Sequence, residues 1–123
     1  MSSMVYLLVA ISVLAMSGAQ LLLKKGLQLV PFPQSFSEVA SFFAKAFTNG
    51  YILSALFLVI VTALAWMLAV SKAEHLSQLY PFMALSYVIV ALFSWWLFAE
   101  GVTVLRWVGI ALICGGVVLV ASS

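Results

Sequence analysis

The residues able to do chemistry are few, and they gather at the ends of apolar runs. Lys24 follows Gln20 by four positions, one helical turn, so both side chains reach one ligand from one face. A glutamine inside a membrane must find a partner or snorkel, and a lysine at a helix C-terminus complements the helix dipole. With Lys25 beside them, they offer amide donors and point charges, the chemistry of a phosphate contact. Lys24 and Lys25 also fit the role of topology anchors at the headgroup level. Glu100 stands between two apolar runs, where a carboxylate suits a helix cap or a ligand. Arg106 is close by in sequence, placed to pair with Glu100 or with a lipid phosphate. Tyr80-Pro81 opens another run. Proline is tolerated in a first helical turn, which predicts a helix start near Ser77 or Gln78. An earlier start would kink the helix at Pro81 and free a carbonyl. Glu74 and His75 read as a solvated loop, and a lone histidine is slight support for pH sensing.

The rest of the composition says where this chemistry sits. The chain has 123 residues, of which 67% are hydrophobic and 7% charged, whereas soluble domains carry about 25% charged residues. Disorder requires low hydrophobicity and high charge, so it is excluded too. An integral membrane protein remains, and about 20 residues per span allows four helices and little else. The single Cys114 excludes an intramolecular disulfide and a cysteine-rich metal site, and in its apolar run it reads as a small buried hydrophobe. A net charge of +2 without basic clusters does not suit nucleic acid. There is no metal-ligand spacing, no Ser/His/Asp set and no glycine-rich phosphate loop. Neither an enzyme nor a cofactor is expected. Aspartate is absent, and no carboxylate falls inside a span, unlike the usual proton-coupled carrier.

Four apolar stretches read as membrane helices: Met4–Leu23, Tyr51–Val70, Leu76–Phe98 and Val102–Ala121. Each crosses a hydrocarbon core of about 30 Å as a helix, and none has the alternation of a barrel strand. No basic residue precedes the first stretch, so it is expected to be a mature span rather than a signal peptide. Between the first two spans, Pro31 and Pro33 break the chain, and Ser35 with Glu38 forms a capping-box signature. Phe36, Val39, Phe43 and Phe47 then share a helical face, with Phe42 and Ala46 beside them. The expectation is a short helix over Phe36–Thr48, stopped by Gly50, lying in the membrane interface or packed on the bundle.

The fold class is therefore all-α, a single four-helix membrane domain over residues 1–123 with one interfacial helix between helices 1 and 2. Short links at Ser71–His75 and Glu100-Gly101 make successive spans antiparallel, so both termini are expected on one side. Lys24, Lys25, Lys45 and Arg106 fall on one face and Lys72 on the other, and the positive-inside rule then favours outside termini. Ala15 and Ala19 allow close approach in helix 1, and Ala111 with Gly115, backed by Gly109 and Gly116, does so in helix 4. These are packing or dimer faces. Four short helices enclose little volume, so a path through the membrane needs a second copy or a similar partner. Trp95, Trp96 and Trp107 read as interface belt residues.

Several of these features resemble the drug/metabolite transporter superfamily, which includes the small multidrug resistance and EamA-type proteins. The carriers of the likeness are Trp107-Val-Gly109 and Leu112-Ile-Cys-Gly-Gly-Val117 in the fourth span. A narrower resemblance is to the small subunits of the flippase for 4-amino-4-deoxy-L-arabinose linked to undecaprenyl phosphate. It rests on Gly18-Ala-Gln20 with Lys24, on Tyr80-Pro81, on Glu100, and on Gly115-Gly116. From Tyr80 to Ser122 it needs no gap, whereas Pro31–Gly50 is longer than the family pattern. The multidrug branch carries a glutamate in the middle of helix 1, where this chain has Ala15, Met16 and Ser17.

The resemblance implies a bacterial inner-membrane carrier subunit that flips a polyprenyl-phosphate-linked sugar, working as a homodimer or heterodimer. Gln20, Lys24, Lys25 and Arg106 would contact the phosphate, Tyr80 the headgroup, and Glu100 a base or the sugar amine. A groove lined by spans one to three would take the lipid, and span four would make the dimer contact. Physical chemistry agrees: a carrier for an amphipathic anion needs a lipid-open apolar groove and a few cationic or amide contacts. The alternatives are a small exporter of cationic or amphipathic compounds and a non-transporting subunit of a glycosyltransferase complex.

Overall fold

A computed structural model describes residues 3–123, and among them all regular structure is helical. Helix α1 spans Ser3–Leu27, a 3-10 turn covers Phe36–Glu38, and α2 spans Val39–Ala46. Helix α3 spans Gly50–Lys72. The third membrane segment is composite: α4 over Leu76–Leu79, a 3-10 turn over Tyr80–Met83, and α5 over Ala84–Leu97. Helix α6 spans Val104–Ser122. Four helical segments are long and apolar enough to cross a bilayer, which makes this a multi-pass membrane protein.

Helix α1 is the hub. It packs along its length on α3 and then on the third segment, while α6 packs on α5. Small and β-branched residues fill the buried seam around α1: Val5, Val9, Val13 and Ala19 of α1, with Ala55, Ala65 and Ala69 of α3 and Leu79 of the third segment. Such residues let helix backbones approach closely in lipid. Ala19 is buried, with 1% exposure, while Ala15 is half-buried. The hydroxyls buried at this seam are satisfied within their own helices: Ser12 Oγ donates to the Leu8 carbonyl at 2.9 Å, Ser17 Oγ to Val13 at 2.7 Å, and Thr62 Oγ1 to Leu58 at 2.9 Å.

Gly26 makes the tightest approach of any glycine among the described residues. A Cβ there would stand 2.6 Å from Ile52 Cγ1 and 3.1 Å from Tyr51 Cβ. Only glycine lets α1 and α3 meet at this end. Conversely, Gly109, Gly115 and Gly116 have nothing within 4 Å of such a Cβ, and Ala111 is exposed. The small face of α6 is thus unused within one copy.

Several boundaries differ from expectation for identifiable reasons. Helix α1 runs on past Leu23 to Leu27, so Lys24 and Lys25 lie within its last two turns. The interfacial helix ends at Ala46, and Gly50 opens α3 instead of stopping α2. Asn49 is the cause: its Oδ1 accepts from Tyr51 N at 2.9 Å and Ile52 N at 3.4 Å, capping α3. The capping box forms only in part. Glu38 Oε2 accepts from Gln34 N at 2.8 Å, but the Ser35 hydroxyl pairs with that of Ser37. The third segment begins at Leu76, earlier than Ser77. Its helix narrows to a 3-10 turn at Pro81, which has no N–H to offer the Ser77 carbonyl.

The expected amphipathic face of α2 is present and points outward. Phe36, Phe43 and Phe47 are exposed, whereas Ala46 is buried with Val30 and Ile52, and Phe42 packs against them. Strong exposed apolar faces on a short surface helix suit the headgroup–acyl boundary.

Candidate functional site

The helix α1 carries one continuous stripe with two characters. At 100° per residue, Tyr6, Val13, Ser17, Gln20 and Lys24 fall within about 40° of one line. In its first half this stripe faces the third segment across an apolar groove of about 390 Å³, lined by Tyr6, Val9, Val13, Phe82, Leu85 and Ile89 among others. The Tyr6 ring meets Phe82 edge-on at 6.1 Å. Beyond Leu14 the stripe turns polar, and Lys24 lies about 15 Å further along the axis at 1.5 Å per residue.

At that polar end Lys24 Nζ stands 4.0 Å from Glu100 Oε1, both side chains about half exposed at 54% and 47%. Glu100 is brought there by a strained corner. Ala99 has φ 52, the left-handed region, and is the one non-glycine residue with positive φ among the described residues. On either side of it, the Phe98 and Glu100 amides both donate to the Ser94 carbonyl, at 3.0 and 3.4 Å. This closes the end of α5 and turns Glu100 back toward α1.

Glu100 also borders a cleft of about 200 Å³ between α5 and α6, lined by Tyr87, Ser94, Val102, Arg106 and Ile110 among others. Arg106 Nη1 donates to the Gly101 carbonyl at 3.4 Å. The expected alternatives for Glu100 and Arg106 resolve differently from the sequence reading. Glu100 pairs with Lys24 rather than Arg106. The cap of α6 is Thr103, whose Oγ1 accepts from Arg106 N at 3.2 Å, so Glu100 does not cap it.

Of the six anticipated ligand residues, five share this end: Gln20, Lys24, Lys25, Glu100 and Arg106. Gln20 is exposed, and its Nε2 reaches back to Met16 Sδ at 3.5 Å. Such a sulfur contact is weak, which leaves the amide easy to redirect. Lys25 is turned aside, its Nζ lying 5.3 Å from the centre of the Tyr51 ring in a cation–π contact. Tyr80 is at the opposite end of the bundle, edge-on to Trp66 at 6.0 Å, above a shallow apolar hollow with Met67, Val70 and Leu76. The same end receives the last residue, since Gln78 Nε2 donates to the Ser123 carbonyl at 3.3 Å.

No group of three or more metal-ligating side chains occurs among the described residues. A cation, an amide and an acid sit at one end of the bundle, joined along one helix face to the apolar groove. Sequence reading did not identify the groove residues. The spacing of Tyr6, Val13, Gln20 and Lys24 was available as a signal, but the hollow exists only because Phe82 and Leu85 stand opposite.

Comparison with known proteins gives one informative likeness. Over 73 residues the chain is 32% identical to a protein of Pseudomonas fluorescens described as a probable 4-amino-4-deoxy-L-arabinose-phosphoundecaprenol flippase subunit. The match covers 59% of this chain and 63% of that relative, so it spans less than two thirds of the relative's length. It supports a distant relationship to that protein. No protein-family profile matches the chain, and no solved structure does.

Proposed function

We propose that this chain is one subunit of a bacterial inner-membrane carrier that flips a polyprenyl-phosphate-linked sugar between leaflets, undecaprenyl phosphate aminoarabinose or a close analogue. The observation that carries the reading is the two-part stripe on α1. Its apolar half borders the apolar groove, and its polar half ends at Gln20 and Lys24. An amphipathic anion keeps its hydrocarbon in such a groove while its phosphate meets the lysine.

In this reading the Lys24–Glu100 pair is the resting state of the site. An exposed ion pair is worth only about 0–1 kcal/mol, so a phosphate displaces Glu100 from Lys24 at little cost. Glu100 is then free to meet the cationic part of the headgroup. Arg106 supports the phosphate from α6, where a guanidinium can bind two oxygens at once. Lys25, engaged on Tyr51, acts as a positioning residue, and Tyr80 meets the headgroup at the other end of the crossing. The likeness to a flippase subunit supports the same reading.

One copy offers half a path. The unused small face of α6, Ala111 and Gly115 with Gly109 and Gly116, pairs with a second copy or a similar four-helix subunit, and the two rock about the lipid. Both termini lie on one side, and the charge distribution favours the outer side.

Native mass spectrometry of protein gently extracted from its own membrane tests this. A dimer retaining a polyprenyl-phosphate species is the expected result. A dimer retaining only bulk phospholipid, yet stabilised by added organic cations, would replace the reading with a small cation exporter.

A further inference from the structure

A second, separate cleft lies beside the short helix between α1 and α3. The segment after α1, Pro31–Gln34, folds alongside the 3-10 turn and α2 and encloses about 300 Å³ with Glu38, Ser41, Phe42 and Lys45. Glu38, Ser41 and Lys45 are spaced by three and four residues, so they line one face of the short helix. Glu38 and Lys45 carry opposite charges and border the same cleft, yet they form no ion pair among the described residues.

The groups in this cleft are held but not consumed. Glu38 is fixed by the Gln34 amide on Oε2 at 2.8 Å, which leaves Oε1 as an open acceptor. Ser12, Ser17 and Ser54 spend their hydroxyls on the carbonyl one turn back; Ser41 makes no such bond. Lys45 Nζ has no carboxylate partner among the described residues. The cleft therefore presents two oxygen acceptors at one end and an ammonium at the other, about 10 Å apart along the helix at 1.5 Å per residue.

The source of the complementary ligand is set by what surrounds the cleft. Phe32 and Phe36 are 81% and 95% exposed beside it, and Phe43 and Phe47 are about half exposed on the same short helix. Aromatic side chains exposed in such number on a short surface helix suit the headgroup–acyl boundary. A molecule entering the cleft from that side is a lipid, headgroup first.

We propose that this cleft binds the headgroup of a zwitterionic phospholipid with a primary amine, a phosphoethanolamine lipid. The ammonium donates to Glu38 Oε1 and Ser41 Oγ, and the phosphate meets Lys45. A primary ammonium has three N–H donors for these oxygens, while a quaternary choline has none. The bound lipid then tethers α2 to the bilayer at the polar end of the bundle. The inference is independent of the polyprenyl-phosphate reading, because it uses none of that site's residues.

The test uses the full chain in detergent, titrated with dioleoyl phosphatidylethanolamine, phosphatidylcholine or phosphatidylglycerol and read by native mass spectrometry. The expected result is retention of the ethanolamine lipid about threefold to tenfold above the choline lipid. Glu38→Gln should erase that preference, since glutamine keeps an oxygen for the Gln34 amide but loses the charge. Ser41→Ala should reduce it, and Lys45→Gln should lower retention of both the ethanolamine and the glycerol lipid. Equal retention of ethanolamine and choline lipids by the wild type, or a preference untouched by Glu38→Gln, would overturn the proposal.

Discussion

Lys24 and Glu100 are far apart in sequence and meet at 4.0 Å, one from the last turns of α1 and the other from the corner after α5. Both are about half exposed. The contact therefore contributes little to stability and leaves both groups available to a ligand. Glu100→Gln should leave folding unchanged and tighten binding of a phosphate-bearing lipid by a few-fold, because Lys24 loses its competitor. Titration of a polyprenyl phosphate onto the two proteins checks this, and weaker binding by the variant would contradict it.

The corner itself is strained. An L-residue in the left-handed region costs about 1–2 kcal/mol relative to the right-handed one, and Ala99 has φ 52. Ala99→Gly should raise the midpoint of thermal unfolding, and Ala99→Val should lower it, since β-branched residues tolerate this region least. Circular dichroism melts in detergent distinguish the two.

Gly26 and Gly115 should behave oppositely. Gly26→Ala brings a methyl group within 2.6 Å of Ile52 Cγ1, and such overpacking costs about 1–3 kcal/mol. Gly115→Ala meets nothing within 4 Å, so the single copy should keep its melting temperature. If the small face of α6 is the subunit contact, Gly115→Leu should weaken association with little effect on that melt. Sedimentation in detergent measures the second effect.

The apolar groove can be closed without touching the polar end. Ala10 lines it, and Ala10→Phe should fill much of the space. Binding of a long-chain polyprenyl phosphate should fall about tenfold, whereas a water-soluble short-chain phosphate should bind as before. Equal losses for both ligands would mean that the substitution disturbed the bundle rather than the groove.

Much of the architecture was legible because apolar length and charge position act locally. The four spans, the surface helix and its exposed Phe36, Phe43 and Phe47 follow from composition and helical periodicity. What escaped depended on partners distant in sequence. Nothing around Gly26 announces that Ile52 will press on it, and the strain at Ala99 arises from closing α5 onto Ser94. A cap was one of two roles open to Glu100, because a carboxylate suits a helix start, yet Thr103 sits nearer the first turn of α6 and takes the Arg106 amide. The i, i+4 spacing correctly put Gln20 and Lys24 on one face. It could not say that Lys25, one residue on, turns away to Tyr51.

The central claim is that Lys24 recognises a lipid phosphate at the end of an apolar groove. Its most direct test compares wild type and Lys24→Ala for binding of a polyprenyl phosphate and of the matching neutral polyprenol. The expected result is a loss of about tenfold for the phosphate, the weight of one charge-assisted contact, with the alcohol unchanged. Equal losses for the two ligands would contradict the claim.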